Sequence, residues 1–284
     1  MLKPAFNIQS GDTNTEVTKQ YRLLLEVSAH SCSCLLFDVR KMSPECIRFF
    51  KFENIKDKPI EELLNEIIEE DEMFKKEISE HFFVYNFEDS SLIPDKFFSV
   101  DINKELTELI YGNLEKGIIF SEKIPWWELQ NVYRVPTAVH NLLQQKFINA
   151  KHWHAYSLLL KSHKMFTIKE GQDLFKIIFY ADKIIITVFK KGQLQLIQTF
   201  VYYDENDVVF DILNCAKQFD INVEDLPLEL SGLIEKHSSL YRELTKYFAH
   251  IYFEQIGDTI KITDELNEYP LHYFSSLLKM AVCV

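Results

Sequence analysis

Glycine is scarce in this chain, with seven among 284 residues. Loops that cradle phosphate bring backbone N–H groups close to an anion and are glycine-rich for that reason, so little is left for such a loop. Cysteine is sparse as well. Cys32, Cys34, Cys46, Cys215 and Cys283 are odd in number and scattered, which excludes the paired framework of a secreted disulfide protein and leads us to expect a reducing cytoplasm. Long apolar runs are missing: the longest fall short of the about 18 to 20 residues of a spanning helix, and Met1 to Asn7 holds no run of signal-peptide length. We therefore expect neither an export segment nor a membrane span. Positive charge is in deficit too, with 31 Lys and Arg against 43 Asp and Glu, a net charge of −12. That balance repels phosphate backbones, and Lys75-Lys76 and Lys190-Lys191 are pairs and not stripes, so nucleic acid is excluded as the default partner. No G-x-S-x-G elbow is present to raise a nucleophile.

What remains is a chain with 47% hydrophobic residues, enough for a sizeable core. Residues 1–17 are polar and aperiodic and read as a flexible leader. Leu23 to Val27, Cys32 to Val39 and Cys46 to Phe52 read as a three-strand meander. Ile60, Leu63, Leu64, Ile67 and Ile68 share one helical face, opposite Glu61, Glu62, Glu66, Glu69 and Glu70. Pro59 fits the helix start, and Lys75-Lys76 are placed to complement its dipole. His81 to Tyr85 reads as a fourth strand.

The order recurs roughly 150 residues on, too long a period for a solenoid and suited to a duplicated domain. Leu174 to Tyr180, Ile184 to Phe189 and Leu194 to Tyr202 form the second meander, with Lys190-Lys191-Gly192-Gln193 as a hairpin turn. Asp204 to Asp207 supplies N-cap candidates for a helix through Val208, Val209, Ile212, Leu213 and Ala216, and Leu226 to Leu230 is the strand after it. Between the copies, Gly117 to Phe120, Val132 to Val135 and His154 to Leu160 read as strands, and Val139 to Phe147 as a helix. Helices are expected around Leu240 to Phe253 and from Pro270 to Met280.

This layout resembles the actin-like fold. The resemblance implies an α/β chain of two tandem RNase H-like domains of the actin-like ATPase superfamily, each a mixed sheet with flanking helices, over 18–165 and 166–284, the C-terminal helix packing back on the first. Leu23 to Ser31 resembles that family's first phosphate loop, with Glu26 at its Asp position, Ser28 at its Gly and His30 beside them. Ile178-Phe179-Tyr180-Ala181-Asp182 occupies the place of the second phosphate loop, and Gly232 sits where the family has a double glycine beside the adenosine. The chain as a whole looks like the bacterial family "domain of unknown function 3822", which is distantly similar to pilus-assembly and cell-division actin-like proteins.

Departures from the pattern weigh against activity. Neither phosphate-loop position holds a glycine, and Ile178 or Phe179 stands where the second loop needs an acid. Glu26, Ser28, His30, Asp182 and Gly232 are accordingly expected to be vestiges of a nucleotide cleft, with no catalytic residue, no cofactor and no metal. The expected function is that of a non-catalytic protein-interaction or assembly module with a protein partner. The alternative is a nucleotide-dependent kinase or ATPase with an unconventional loop around Glu26, Ser28 and His30.

Other groupings have plainer explanations. His152 and His154 alternate onto one face of a strand, with His140 and His163 near in sequence, but zinc wants three or four ligands, so a polar face on an edge strand is expected. Cys32-Ser33-Cys34 suits core packing and not a C-x-x-C redox site. Glu26, Asp38 and Glu229, the carboxylates of a two-metal nuclease reading, are expected to be solvated or on strand edges. Pro125-Trp126-Trp127 places adjacent indoles in opposite directions, leaving one for a partner or a second packing surface.

Overall fold

The computed structural model describes residues 2–11, 20–52, 58–113, 117–166 and 171–284. The chain is a mixed α/β protein dividing into two compact units, one of residues 1–162, 259–266 and 280–284, the other of residues 163–258 and 267–279.

In the first unit, β1 (Phe6–Gln9), β2 (Tyr21–Val27), β3 (Ser31–Asp38) and β4 (Ser43–Lys51) precede α1 (Ile60–Glu70) and β5 (Glu80–Tyr85). Then come β6 (Ser90–Pro94), α2 (Asn103–Tyr111), β7 (Gly117–Ile124), β8 (Leu129–Pro136), α3 (Thr137–Lys146), β9 (Lys151–His154) and α4 (Ala155–Phe166). The main sheet runs β1-β4-β3-β2-β5-β9, and β6-β8-β7 form a separate three-stranded sheet. The meander pairs are antiparallel, whereas β2-β5 and β5-β9 are parallel. Leu63, Leu64, Ile67 and Ile68 of α1 are buried against Leu23, Leu25, Phe83 and Tyr85, as the period of the helix requires.

The second unit carries β10 (Leu174–Phe179), β11 (Lys183–Lys190), β12 (Gln193–Val201), α5 (Glu205–Gln218), β13 (Pro227–Gly232), α6 (Ser239–Leu244) and β14 (His250–Phe253). After these come α7 (Asp264–Asn267) and α8 (Ser275–Cys283). Its sheet runs β12-β11-β10-β13-β14. With β1 set aside, both sheets therefore have the order third, second, first, fourth, fifth. Lys191 and Gly192 join β11 to β12 with φ of 51° and 76°, the pair of positive values of a type I′ hairpin. Asp204 caps α5 by accepting from the amides of Asn206 and Asp207, while the Asp207 carboxylate accepts from the Asp204 amide.

Several expectations are corrected. The expected leader contains β1, whose Ile8 is buried opposite Ile47, while residues 12–19 lie outside the described residues. His154 to Leu160 is not a strand: β9 ends at His154 and α4 follows, its Ala155, Tyr156, Leu158, Leu159 and Leu160 all buried. A helix buried all round shows no 3.6-residue period and reads like a strand. Leu240 to Phe253 is not one helix but α6, a turn and then β14, whose alternating exposure is that of a strand. α1 ends at Glu70 with no basic residue in its last turn, so Lys75 and Lys76 do not complement its dipole.

Candidate functional site

The position that the resemblance assigns to a first phosphate loop is the β2–β3 turn. Val27 ends β2, and Ser28 turns the chain back by donating its amide to the Ser31 carbonyl at 2.9 Å. Its hydroxyl oxygen accepts from the amides of His30 (3.3 Å) and Ser31 (3.0 Å) and lies 2.9 Å from the Ser31 hydroxyl. Three amides of this four-residue turn are thus already donating. A phosphate cradle needs such amides pointing at the anion, and they reach one only after these bonds break. Glu26 lies buried on β2 and accepts from Asn86 Nδ2 at 2.8 Å; His30 is exposed.

The β10–β11 turn repeats the backbone closure of the first. Tyr180 donates its amide to the Lys183 carbonyl at 2.8 Å, as Ser28 does to Ser31. Tyr202 donates its amide to the Asp182 carbonyl, as Phe52 does to that of His30. The Tyr202 hydroxyl adds a bond to the Tyr180 carbonyl at 3.0 Å, so a side chain braces this turn too. The correspondence sets Ile178, buried, at the place of Glu26. Gly232, at the end of β13, has a φ of +77°, and a β-carbon there would strike the Phe179 carbonyl. It serves close strand packing.

The nuclease carboxylates do not converge, and of the three, expected to be solvated or on strand edges, Glu26 and Asp38 are buried and Glu229 is half-buried. Asp38 pairs with Tyr21 at one end of β2 and Glu26 sits five residues along, about 17 Å away at ordinary strand rise. Asp38 is buried and accepts from the amides of Arg40 and Lys41, and Glu229 is ion-paired with Lys176 in the second unit. Among the described residues, no group of three or more His, Cys, Asp or Glu is arranged to hold a metal ion.

The histidines divide. His154, expected on a polar face, is fully buried. Its Nδ1 accepts from the Tyr156 amide at 3.1 Å and its Nε2 lies 3.0 Å from the Phe87 carbonyl, an arrangement that fixes the neutral Nε2–H tautomer and leaves no lone pair for a metal. His152 and His140 meet at 5.4 Å between ring centroids, with Phe120 against both and the Tyr85 hydroxyl 2.8 Å from His140 Nδ1. Burial, then the neighbouring His140, pushes the His152 pKa down to about 4. His163 is in the second unit, edge-on to Phe189, and burial holds it well below the usual imidazole range.

Sequence reasoning missed Glu122. From β7 its Oε2 accepts the Tyr133 hydroxyl of β8 at 3.2 Å, and its Oε1 accepts the amide of His154, where α4 begins, at 2.9 Å. Burial pushes its pKa up to about 7, against bonds from Ser157, His154 and Tyr133 that pull it down. Nothing in Ser121-Glu122-Lys123 marks it off from an ordinary surface triplet; only the pairing of β7 with β8 turns it inward. Its oxygens are engaged within the unit, so its role is to clamp the small sheet to the head of α4.

Cys32 and Cys34 are buried with their sulfurs 3.7 Å apart, and burial raises the Cys34 thiol well above its usual range, which fits packing and not redox chemistry. Trp126 is exposed, whereas Trp127 donates its Nε1–H to the Leu160 carbonyl at 3.2 Å. No helix among the described residues is long and apolar enough to cross a membrane.

The family model described as "Protein of unknown function (DUF3822)" matches residues 10–251. No curated protein is similar to the chain in sequence. Among solved structures, a protein of Bacteroides thetaiotaomicron VPI-5482, described as having an actin-like ATPase fold and unknown function, superposes with a TM-score of 0.77 at 16% identity, over 94% of this chain and 97% of that one. The PilM–PilN type IV pilus biogenesis complex is similar with a TM-score of 0.62 at 9% identity, over 92% of this chain and 97% of its counterpart. At these identities the likeness is one of fold, and the fold is actin-like.

Proposed function

Because the chain belongs to the family described as "Protein of unknown function (DUF3822)" and shares the actin-like fold, we propose that it is a non-catalytic actin-like protein acting in the cytoplasm as a protein-interaction or assembly module. Each five-strand set is read as one RNase H-like core, the two arranged in tandem. The shared strand order and the matching Ser28–Ser31 and Tyr180–Lys183 turns support that duplication.

The observation that carries the functional reading is the closure of those turns. In the first, a serine hydroxyl has taken the place of the anion as acceptor for the His30 and Ser31 amides. In the second, the acid position holds Ile178, and the Tyr202 hydroxyl braces the backbone. A protein that keeps the duplicated framework while filling its phosphate positions retains surfaces and not chemistry. The structural likeness to PilM, a protein described in complex with PilN, supports a partner of protein nature.

Calorimetric titration with ATP and with GTP in the presence of Mg²⁺, together with phosphate release, tests this. No saturable heat and no release above the buffer blank are expected. Micromolar binding with turnover, lost in Glu26→Ala, overturns the proposal in favour of a nucleotide-dependent enzyme.

A further inference from the structure

In the second unit, His163 and Thr187 are each 1% exposed, yet their polar atoms are unused. Neither Nδ1 nor Nε2 of His163, nor Oγ1 of Thr187, has a hydrogen-bond partner among the described residues. Buried polar groups are paired almost without exception, because a donor or acceptor left alone keeps its full desolvation penalty. The two side chains share one face of the sheet. Phe175 and Ile177 point into the core with Val208 and Ile212 of α5, so Lys176 points to the opposite face, and Thr187, its partner on β11, goes with it. Phe189 is two residues further along that face of β11, and the His163 ring lies edge-on to it at 5.8 Å between centroids. Glu229, level with Lys176 on β13, continues the row on the other side.

The charged groups beside His163 are engaged with one another. Glu254 gives Oε1 to Lys176 and Lys279 and Oε2 to Ser275 and Ser276, and Glu229 pairs with Lys176. Two ammonium groups are thus balanced by two carboxylates, and an ion added here would be buried without a counter-charge. Burial holds the imidazole well below its usual range, so it too is neutral, with one ring nitrogen a donor and the other an acceptor. Together with a hydroxyl, these atoms suit a neutral molecule that both donates and accepts, and water does both.

We propose that His163 and Thr187 enclose an internal hydration site of two waters, one at each imidazole nitrogen, one of them shared with the Thr187 hydroxyl. The ring nitrogens point away from each other, so a single molecule does not serve both. Water has a route in: Phe189, against which His163 lies, and Glu229, which pairs with Lys176, both line an open cavity of about 760 Å³. The site is part of how the second unit satisfies its polar interior, and it stands whether or not a nucleotide or a protein partner binds.

A crystal structure of the full chain, at a resolution that orders water, tests it. One density peak is expected within about 3.2 Å of each His163 nitrogen, and one of the two within the same distance of Thr187 Oγ1. In Thr187→Val, which keeps the shape and removes the hydroxyl, the shared water is expected to be lost while the other stays. If crystals or that variant fail, magnetisation transfer from water to the His163 imidazole N–H in the wild type decides it by nuclear magnetic resonance: transfer is expected, and its absence overturns the proposal. An ordered imidazole with no peak at its nitrogens, or one bonded to protein atoms, overturns it as well. So do two peaks unchanged in Thr187→Val, and so does an anomalous bromide peak at His163 in crystals grown with bromide, which would give the site to an anion.

Discussion

Gly232 and Phe179 approach so closely, at the point where β13 pairs with the end of β10, that the backbone of one occupies the space a side chain on the other would need. The Phe179 carbonyl also accepts the amide of Leu233 at 2.8 Å, fixing it in place. Gly232→Ala therefore combines a clash with backbone with a left-handed φ of +77°. A loss of roughly 3 kcal/mol or more in unfolding free energy is expected, measured by urea denaturation. A neutral substitution would show that the glycine is free to act as something other than a packing residue.

Glu122 sets a pH dependence. Its pKa in the folded chain is raised from 4.5 to about 7, chiefly by burial, so between those values the folded state holds a proton that the unfolded state has released. Stability from this group is fully present below about pH 4.5 and is lost as pH rises through about 7, by at most about 3 kcal/mol. His152 acts oppositely: its pKa of about 4 in place of 6.5 removes stability as pH falls from 6.5 towards 4. The difference between wild type and Glu122→Gln separates the two, because His152 is common to both. Gln keeps a carbonyl for the His154 amide, and the Tyr133 hydroxyl can turn to accept. The variant is expected to gain on the wild type as pH rises from 5 to 7.5 in urea denaturation; parallel curves would mean that Glu122 titrates normally.

Ser28 closes its turn through two amides and a second hydroxyl. Ser28→Ala leaves the buried Ser31 amide and the part-buried His30 amide without that acceptor and is expected to cost about 1 to 3 kcal/mol. Ser28→Gly gives the turn the residue type of a phosphate loop, yet no ATP binding is expected, since Ile178 and the Tyr202-braced turn of the second unit are unchanged. Thermal shifts of both variants with and without Mg·ATP check this, and stabilisation of Ser28→Gly by nucleotide would contradict it.

How far the sequence was legible depended on whether a residue's setting was local. Ile60, Leu63, Leu64, Ile67 and Ile68 announce α1 because one face of it is wet, and Lys191-Gly192 and Asp204 announce a turn and a cap through their own backbone chemistry. Ala155 to Leu160 announces nothing, because a helix buried on every side has no period to read. β1 was hidden for another reason: Phe6-Asn7-Ile8-Gln9 is too short to signal a strand and is held by β4, forty residues away. Ser28 and His30 fall in the β2–β3 turn, with Glu26 on the strand before it, and Asp182 falls in the β10–β11 turn. What no local reading shows is that Ser28 spends its hydroxyl on its own turn, or that Glu122 faces inward across β8.

The buried charges of the second unit make the last prediction. Glu254 Oε1 lies 2.9 Å from both Lys176 Nζ and Lys279 Nζ, and its Oε2 accepts from Ser275 at 2.6 Å and Ser276 at 3.3 Å. Burial alone would raise its pKa, but Lys176 and then Lys279, with the Ser275 bond, hold it well below the carboxylate range. A group with a depressed pKa gives stability that is present above its unfolded value of 4.5 and is lost as pH falls below it. Glu254→Gln sets an uncharged amide against both ammonium groups, with Glu229 left to pair with Lys176, where all three side chains of the cluster are almost wholly buried. A loss of about 3 to 5 kcal/mol at neutral pH is expected, with much of the wild type's acid sensitivity below pH 4.5 removed. Replacing both lysines together with Glu254, as Lys176→Met, Lys279→Met, Glu254→Leu, is expected to recover most of the loss, because the cost lies in buried charge without a counter-ion, and Glu229, which loses Lys176, keeps 20% of its side chain open to solvent. Chemical denaturation of the two variants side by side decides it: a triple variant no more stable than Glu254→Gln would show that the cluster itself holds the unit together.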